Sequence, residues 1–428
     1  MPDTGVVLFF LGLLVMGLFL EPLAARARMP VSVFLVPLGF AASEIATRVA
    51  GLDVGIRWDN LGTFITYVLV PSLVFESALR LDTDALRRDA AAVFLLAFPL
   101  LLLAAGITAG IAYAGIGHPD GFPWAAALLA GAILSSTEMT GMFQLLTRAG
   151  ASNRIAWILE GESIFNDTAA LLLFMLMLSV ALMDVGGVTV SMVATDFARL
   201  FLGGIIVGYV CGFLARGILR RVPGEHTFAV LSLATAYGVF LLAQKILQVS
   251  GALAVLTAGV LLCSDLRRHR HNEAFPEALW NFVAHTAGSM IFILAGVSIT
   301  LGMFRDEWLA MLVGAVAVLA ARAVTVFAVL GPISYLPGFR PLSIPDQAVL
   351  TWGSVRGSVT MALALSLPLQ LEYWYSLQAL VYGAVLFSLF VQATTVSRLV
   401  GRFRLPADTA AMATSAAGSD RGSSAATR

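Results

Sequence analysis

Ser135-Ser136-Thr137-Glu138-Met139-Thr140-Gly141 interrupts an otherwise apolar run, residues 122–147. A second such stretch, Trp352-Gly353-Ser354-Val355-Arg356-Gly357-Ser358, interrupts the run 345–368. Gly and Ser alone could simply let helices pack closely. That reading leaves Glu138 and Arg356 unexplained, because a charge placed inside an apolar run needs a reason. What the two stretches mean depends on what surrounds them.

The surroundings are membrane-like. The chain has 428 residues, 59% hydrophobic and 12% charged, with mean hydropathy +0.89. A soluble domain carries roughly twice that share of charge, about 25%. Apolar runs recur at 5–22, 30–48, 61–79, 90–115, 122–147, 152–181, 193–219, 226–247, 249–265, 276–301, 306–331, 345–368 and 374–399. Each is about long enough to span a bilayer as a helix. Backbone groups in lipid must be paired within the segment, so such runs without strand-like alternation imply a helical bundle. The expected fold is all-α and polytopic, with thirteen transmembrane helices: six spans, a linker span, then six more. The interrupted stretches fall in the fifth and twelfth spans, which are corresponding members of the two halves. Interruptions at matching positions of two halves point to a transporter site built from broken helices.

Basic residues set the expected orientation. With the N-terminus outside, the cytoplasmic side receives Arg26 and Arg28, Arg80, Arg87 and Arg88, Arg148 and Arg154. It also receives Arg216, Arg220 and Arg221, then Arg267, Arg268 and Arg270, then Arg340, Arg398, Arg402 and Arg404. The outer side receives only Arg48, Arg57, Arg199, Lys245 and Arg305, the asymmetry of the positive-inside rule. The C-terminus is then cytoplasmic, in the cell membrane. The first run, preceded by Asp3 and by no basic residue, reads as a true helix rather than a cleaved signal. Residues 405–428, rich in Ala, Ser, Thr and Gly, read as a disordered tail. Zero net charge gives no reason to expect a nucleic-acid partner. Cys211 and Cys263 lie inside apolar runs and read as small buried hydrophobes rather than a disulfide framework.

Charges at membrane depth are functional candidates by default. They are Glu76, Glu138, Glu160, Glu162, Asp167, Arg322 and Arg356. His285 reads as a hydrogen-bonded packing residue. In Leu159-Glu160-Gly161-Glu162-Ser163-Ile164-Phe165-Asn166-Asp167-Thr168, helical spacing places Glu160, Ser163 and Asp167 on one face and Glu162 and Asn166 on the next. A carboxylate beside a hydroxyl and an amide oxygen is an all-oxygen setting suited to a hard cation such as sodium. Paired His or Cys ligands for zinc are missing from this set. Burial disfavours the charged form of a carboxylate, so one group could hold either a proton or a cation. Glu162 and Arg322 are better read as an ion pair that satisfies two otherwise orphaned charges.

With those residues identified, the chain resembles the sodium/proton exchanger family of cation/proton antiporters, in its Asn-Asp branch of bacterial and archaeal NhaP-like members. Gly161-Glu162-Ser163-Ile164-Phe165-Asn166-Asp167 is similar to the family's sixth-helix signature. Pro71-Ser72-Leu73-Val74-Phe75-Glu76-Ser77-Ala78-Leu79 resembles its third-helix Phe-Glu motif, and Ala321-Arg322-Ala323-Val324 its eleventh-helix arginine segment. Trp352 to Ser358 resembles its Trp-Gly-Gly-Leu-Arg-Gly segment.

The resemblance implies two inverted six-helix repeats whose broken helices cross at the ion site. It implies a homodimer whose protomers pair a scaffold with a mobile core. Scaffold helices would occupy 1–89 and 223–305, the linker 182–222, and the core 90–181 and 306–404. It implies that Asp167 carries the proton or sodium ion, assisted by Ser163, Asn166 and the Thr137 backbone. Arg356 would stabilise the crossing, and Glu76 would lie along the ion path. Asparagine before the aspartate implies one-for-one, electroneutral exchange of sodium or lithium for protons, in the service of pH homeostasis, with no cofactor and no enzymatic step. One departure stands out: Thr137-Glu138-Met139 replaces the usual Thr-Asp-Pro. Glu138 keeps a carboxylate on a longer arm, and the helix-breaking proline is gone.

Two rival readings remain at this stage. A symporter of organic anions on the same fold would need cationic groups for its substrate, and Arg356 could serve. An intramembrane protease would need an aspartate dyad, a Ser/His pair or a zinc motif, and the charge set supplies none of them.

Overall fold

The computed structural model describes residues 4–27, 29–50, 61–81, 89–116, 122–139, 142–182, 189–222, 224–266, 274–337, 339–371 and 373–403. The expected tail, Thr140 and Gly141, the side chain of Cys263, and Arg28, Arg57, Arg87, Arg88, Arg267, Arg268, Arg270 and Arg404 lie outside them.

Apart from the isolated bridge described below, the regular structure among the described residues is helical, and every apolar run of the sequence holds helix. The elements are α1 (Thr4–Ala27), α2 (Ser32–Ala50), α3 (Leu61–Arg80), α4 (Ala90–Gly115), α5 (Trp124–Ile133), α6 (Met142–Arg148), α7 (Asn153–Leu182) and α8 (Val190–Arg221). They continue with α9 (Glu225–Ile246), α10 (Gly251–Leu266), α11 (Ala274–Ser298), α12 (Leu301–Asp306), α13 (Trp308–Ile333), α14 (Ile344–Trp352), α15 (Ser358–Leu365) and α16 (Trp374–Phe403). Eight of them, α3, α4, α7, α8, α9, α11, α13 and α16, are long and apolar enough to cross a bilayer. Large apolar side chains on the outside, such as Phe213 (63% exposed), Phe282 (68%) and Val230 (69%), suit lipid and would be a liability in water. The chain is a multi-pass membrane protein.

The eighth and ninth runs are nearly continuous in hydropathy, and their division at residue 248 falls where the chain turns: Gln248 adopts φ +53° between α9 and α10. One detail differs from the sequence reading. His285 does make a hydrogen bond, but not in the interior. Its Nε2 lies 2.8 Å from Glu21 Oε1 across α1 and α11, and both side chains are 46% exposed.

Packing is closest along glycine seams. On α2 and α11, a Cβ at Gly39 would strike the Ile293 carbonyl, and one at Gly296 would strike the Val36 carbonyl. On α13 and α16, Gly314 lies against the Leu380 carbonyl and Gly383 against the Met311 backbone. These reciprocal contacts let backbones meet without intervening side chains, the usual device for joining helices in lipid.

The site is positioned by α7 and by the two interrupted helices. α7 packs against α3, α4, α5, α6, α8, α10, α14 and α15. α5 stops at Ile133 and α6 begins at Met142. α14 starts with a capping box, Ser343 with Asp346, stops at Trp352, and is resumed by α15 at Ser358. The two gaps meet: Glu138 N donates to Val355 O at 2.7 Å, an isolated antiparallel bridge. The helix therefore breaks without the proline, because a backbone partner from the other interrupted helix replaces the missing intrahelical bonds.

Candidate functional site

Broken helices leave four backbone poles inside the protein, and two of them are met by opposite charge. α5 ends in carbonyls that carry partial negative charge, and the start of α15 carries partial positive charge. Arg356 Nη1 donates to Ser136 O at 2.7 Å and to Ser135 O at 3.2 Å, just past the end of α5. Thr360 Oγ1 adds a longer bond to Ser136 O, 3.4 Å. In the opposite sense, Glu138 Oε2 accepts from Ser358 N at 3.0 Å and from Ser358 Oγ at 2.6 Å, capping α15. Gly357 is required here, since a Cβ at that position would collide with the Glu138 side chain.

Glu162 and Arg322 form the second charge group. Both guanidinium Nη atoms donate to the carboxylate, with Nη2 to Oε2 at 2.6 Å, in the fork geometry of the strongest ion pairs. Arg322 Nε donates to Leu350 O at 3.3 Å, tying α13 to the end of α14. Asn166 Nδ2 donates to Glu162 Oε1 at 3.0 Å and at 3.4 Å to Thr137 Oγ1. Glu162 is 1% exposed, Arg322 7% and Asn166 3%, so this cluster is sealed.

Asp167 stands one turn further along α7 in a different setting. Its Oδ1 accepts from Ser136 Oγ at 2.5 Å, and it takes a backbone bond from Thr137. Among the described residues, no cationic side chain lies within ion-pair distance of it. It is partly exposed, whereas its neighbours Asn166 and Thr168 are buried. Ser163, one turn earlier, donates its hydroxyl to Thr137 O at 2.5 Å. The Asp167 carboxylate, the Ser163 hydroxyl and the Thr137 carbonyl thus gather oxygen ligands of the type a hard monovalent cation takes.

The remaining acids lie apart. Buried Glu76 pairs with Arg80 one turn along α3. Glu138 is within electrostatic range of Glu76, and Glu160 within range of Arg80. Ser136, Ser358 and Thr360 are site residues that sequence reasoning did not single out. Ser136 stood in the first interrupted stretch, and its position next to Thr137 was the available signal.

A helical membrane bundle with two interrupted helices meeting beside an acid held by neutral donors defines a secondary transporter of the broken-helix type. The profile of the family described as "Sodium/hydrogen exchanger, transmembrane" matches residues 10–402, and the chain belongs to that family. It is 30% identical over 390 residues to the Na(+)/H(+) antiporter ApNhaP of Aphanothece halophytica, covering 90% of this chain and 71% of that one. It is 31% identical over 384 residues to the Na(+)/H(+) antiporter NhaP of Pseudomonas aeruginosa, covering 86% of each. Its fold is similar to that of the sodium proton antiporter MjNhaP1 from Methanocaldococcus jannaschii, with TM-score 0.77 and 20% identity over 94% of this chain and 99% of that one.

Proposed function

We propose that the protein exchanges sodium ions for protons across the cell membrane, with Asp167 holding one or the other. The observation that carries this reading is the distribution of charge around α7. Glu162 is neutralised by Arg322, and Arg356 is committed to the Ser135 and Ser136 carbonyls. Asp167 is left with neutral donors. A carboxylate in that position gains from a bound cation or from a proton, and one site cannot hold both. Two ligands competing for one site, on a support that turns it from one side to the other, constitute an exchanger. Ser163, Asn166 and Thr137 would complete the sodium site. Glu138, on the present geometry, is a helix cap within electrostatic range of Asp167, and Glu76 would lie on the approach.

The same reading takes the chain as thirteen spans with the N-terminus outside, arranged as two inverted six-helix repeats. Spans four to six and eleven to thirteen would move as a core against the scaffold of a homodimer. The glycine seams support this division, because α2 with α11 and α13 with α16 are joined within the two proposed units rather than across them. One proton for one sodium leaves the core with the same charge in both directions, so exchange is electroneutral. An organic-anion symporter is disfavoured, since the cation it would use, Arg356, is buried and directs its Nη1 to the Ser135 and Ser136 carbonyls.

The test is a pH-gradient dequenching assay in proteoliposomes. Sodium should dissipate the gradient with the wild type and leave it intact with Asp167→Asn, which keeps the shape of the side chain but cannot cycle a proton. Wild-type dequenching by that variant would overturn the assignment.

A further inference from the structure

At the end of the bundle where α3 begins and α11 and α15 end, side-chain contacts cross from the proposed scaffold to the proposed core. Thr66 Oγ1 on α3 lies 3.5 Å from Ser366 Oγ, just beyond α15, and Gly62 packs on the backbone of that serine. Thr300 Oγ1 lies 3.4 Å from Tyr375 Oη. The shortest of these contacts joins Ser298 Oγ, the last residue of α11, to Tyr382 Oη on α16 at 2.5 Å. Tyr382 is fully buried, and its place eight residues into α16 sets it about 12 Å along the helix at 1.5 Å per residue.

The direction of that bond follows from its neighbour. Ser298 Oγ donates its one proton to Ala295 O at 2.8 Å, so it is the acceptor and Tyr382 the donor. A buried phenol needs a partner for its O–H, and the described residues offer it Ser298. The same hydroxyl would lose this partner if α16 moved past α11 by even part of a helical turn. Thr66–Ser366 and Thr300–Tyr375 are longer and weaker, and they close the same seam.

We propose that Tyr382 is a positioning residue for transport: its hydroxyl on Ser298 latches the core to the scaffold at this end, and release of the latch accompanies opening there. This inference rests on the core-and-scaffold reading given above. The latch does not touch Asp167, so its removal changes how often the site faces each side and leaves its chemistry alone. One buried neutral hydrogen bond biases such an equilibrium by about two- to tenfold.

The test uses full-length protein in proteoliposomes, in a cysteine-free background carrying Thr66→Cys as the reporter of opening. A membrane-impermeant thiol reagent is applied, with sodium and pH varied. Tyr382→Phe, which removes the hydroxyl and keeps the ring, should raise the labelling rate about two- to tenfold. It should also shift the apparent sodium KM while leaving the reporter's response to sodium in place. Ser298→Ala should do the same, and the double variant no more than either single, since both remove one bond. Unchanged labelling and KM in both single variants, with wild-type melting behaviour, would overturn the latch; so would fully additive effects. If the reporter ignores sodium and pH even with Tyr382 present, the moving-core reading itself falls and the latch falls with it.

Discussion

Glu162 and Asp167 sit little more than one turn apart on α7, and the protein treats them in opposite ways. Glu162 is almost completely buried, receives both arms of Arg322, and takes a third donor from Asn166. Asp167 is partly exposed and receives one hydroxyl and one backbone N–H. The same functional group is a structural rivet in one place and an open valence in the other. Supply of partners makes the difference. Fully satisfied charge resists change, whereas a carboxylate with neutral donors only can be satisfied in two ways, by proton or by cation.

The strongest way to break this contrast is to swap consequences. Asp167→Asn should abolish exchange while the protein melts close to the wild type, measured by dequenching and by thermal unfolding in detergent. Loss of fold, or retained exchange, would erase the distinction. For Glu162 the pattern should invert. Glu162→Ala or Arg322→Ala leaves an uncompensated buried charge, typically a loss of about 3–5 kcal/mol. Each variant should melt far lower, and the double variant should recover part of the loss. Strict additivity in that double-mutant cycle would mean that the two side chains are not energetically coupled.

A smaller effect is expected at the crossing. Glu138→Gln keeps an acceptor for Ser358 but replaces a charge-assisted bond with a neutral one, a difference of about 1 kcal/mol. Exchange should persist with modestly reduced stability. Complete loss of transport in a well-folded Glu138→Gln protein would move Glu138 from helix cap to ion carrier. The last expected effect is zero. With opposing sodium and proton gradients at balance in proteoliposomes, an imposed diffusion potential should leave the balance point at equal ratios. The potential acts on any net charge at about 2.3 kcal/mol per 100 mV, so even fractional net transfer would displace it. A systematic displacement would reject one-for-one exchange.

Much of this contrast was legible from the residues alone. Spacing on an apolar helix set Asp167 and Ser163 on one face and Glu162 on its neighbour, and orphaned charge suggested Arg322 as the partner of Glu162. Other features depend on where distant segments meet. Glu138 and Ser358 are 220 residues apart, and no local pattern tells a capping carboxylate from an ion ligand. Ser136 was one hydroxyl in a run of several, and only the fold aims it at Asp167. The runs divide at Gln248, but the left-handed conformation that turns the chain there leaves no trace in an apolar average. His285 looked like an interior residue because depth along a helix was legible and the direction of its face was not.

The glycine seams also bear on inheritance. Any coding change that replaces a glycine adds at least one carbon, and at Gly39, Gly296, Gly314 and Gly383 that carbon would meet a neighbouring backbone rather than a side chain able to turn aside. The gene therefore has more places to fail than its ion site suggests. On the proposed reading, an error at Asp167 would silence an intact protein, whereas an error at a seam would pry two helices apart and remove the protein before it could carry anything.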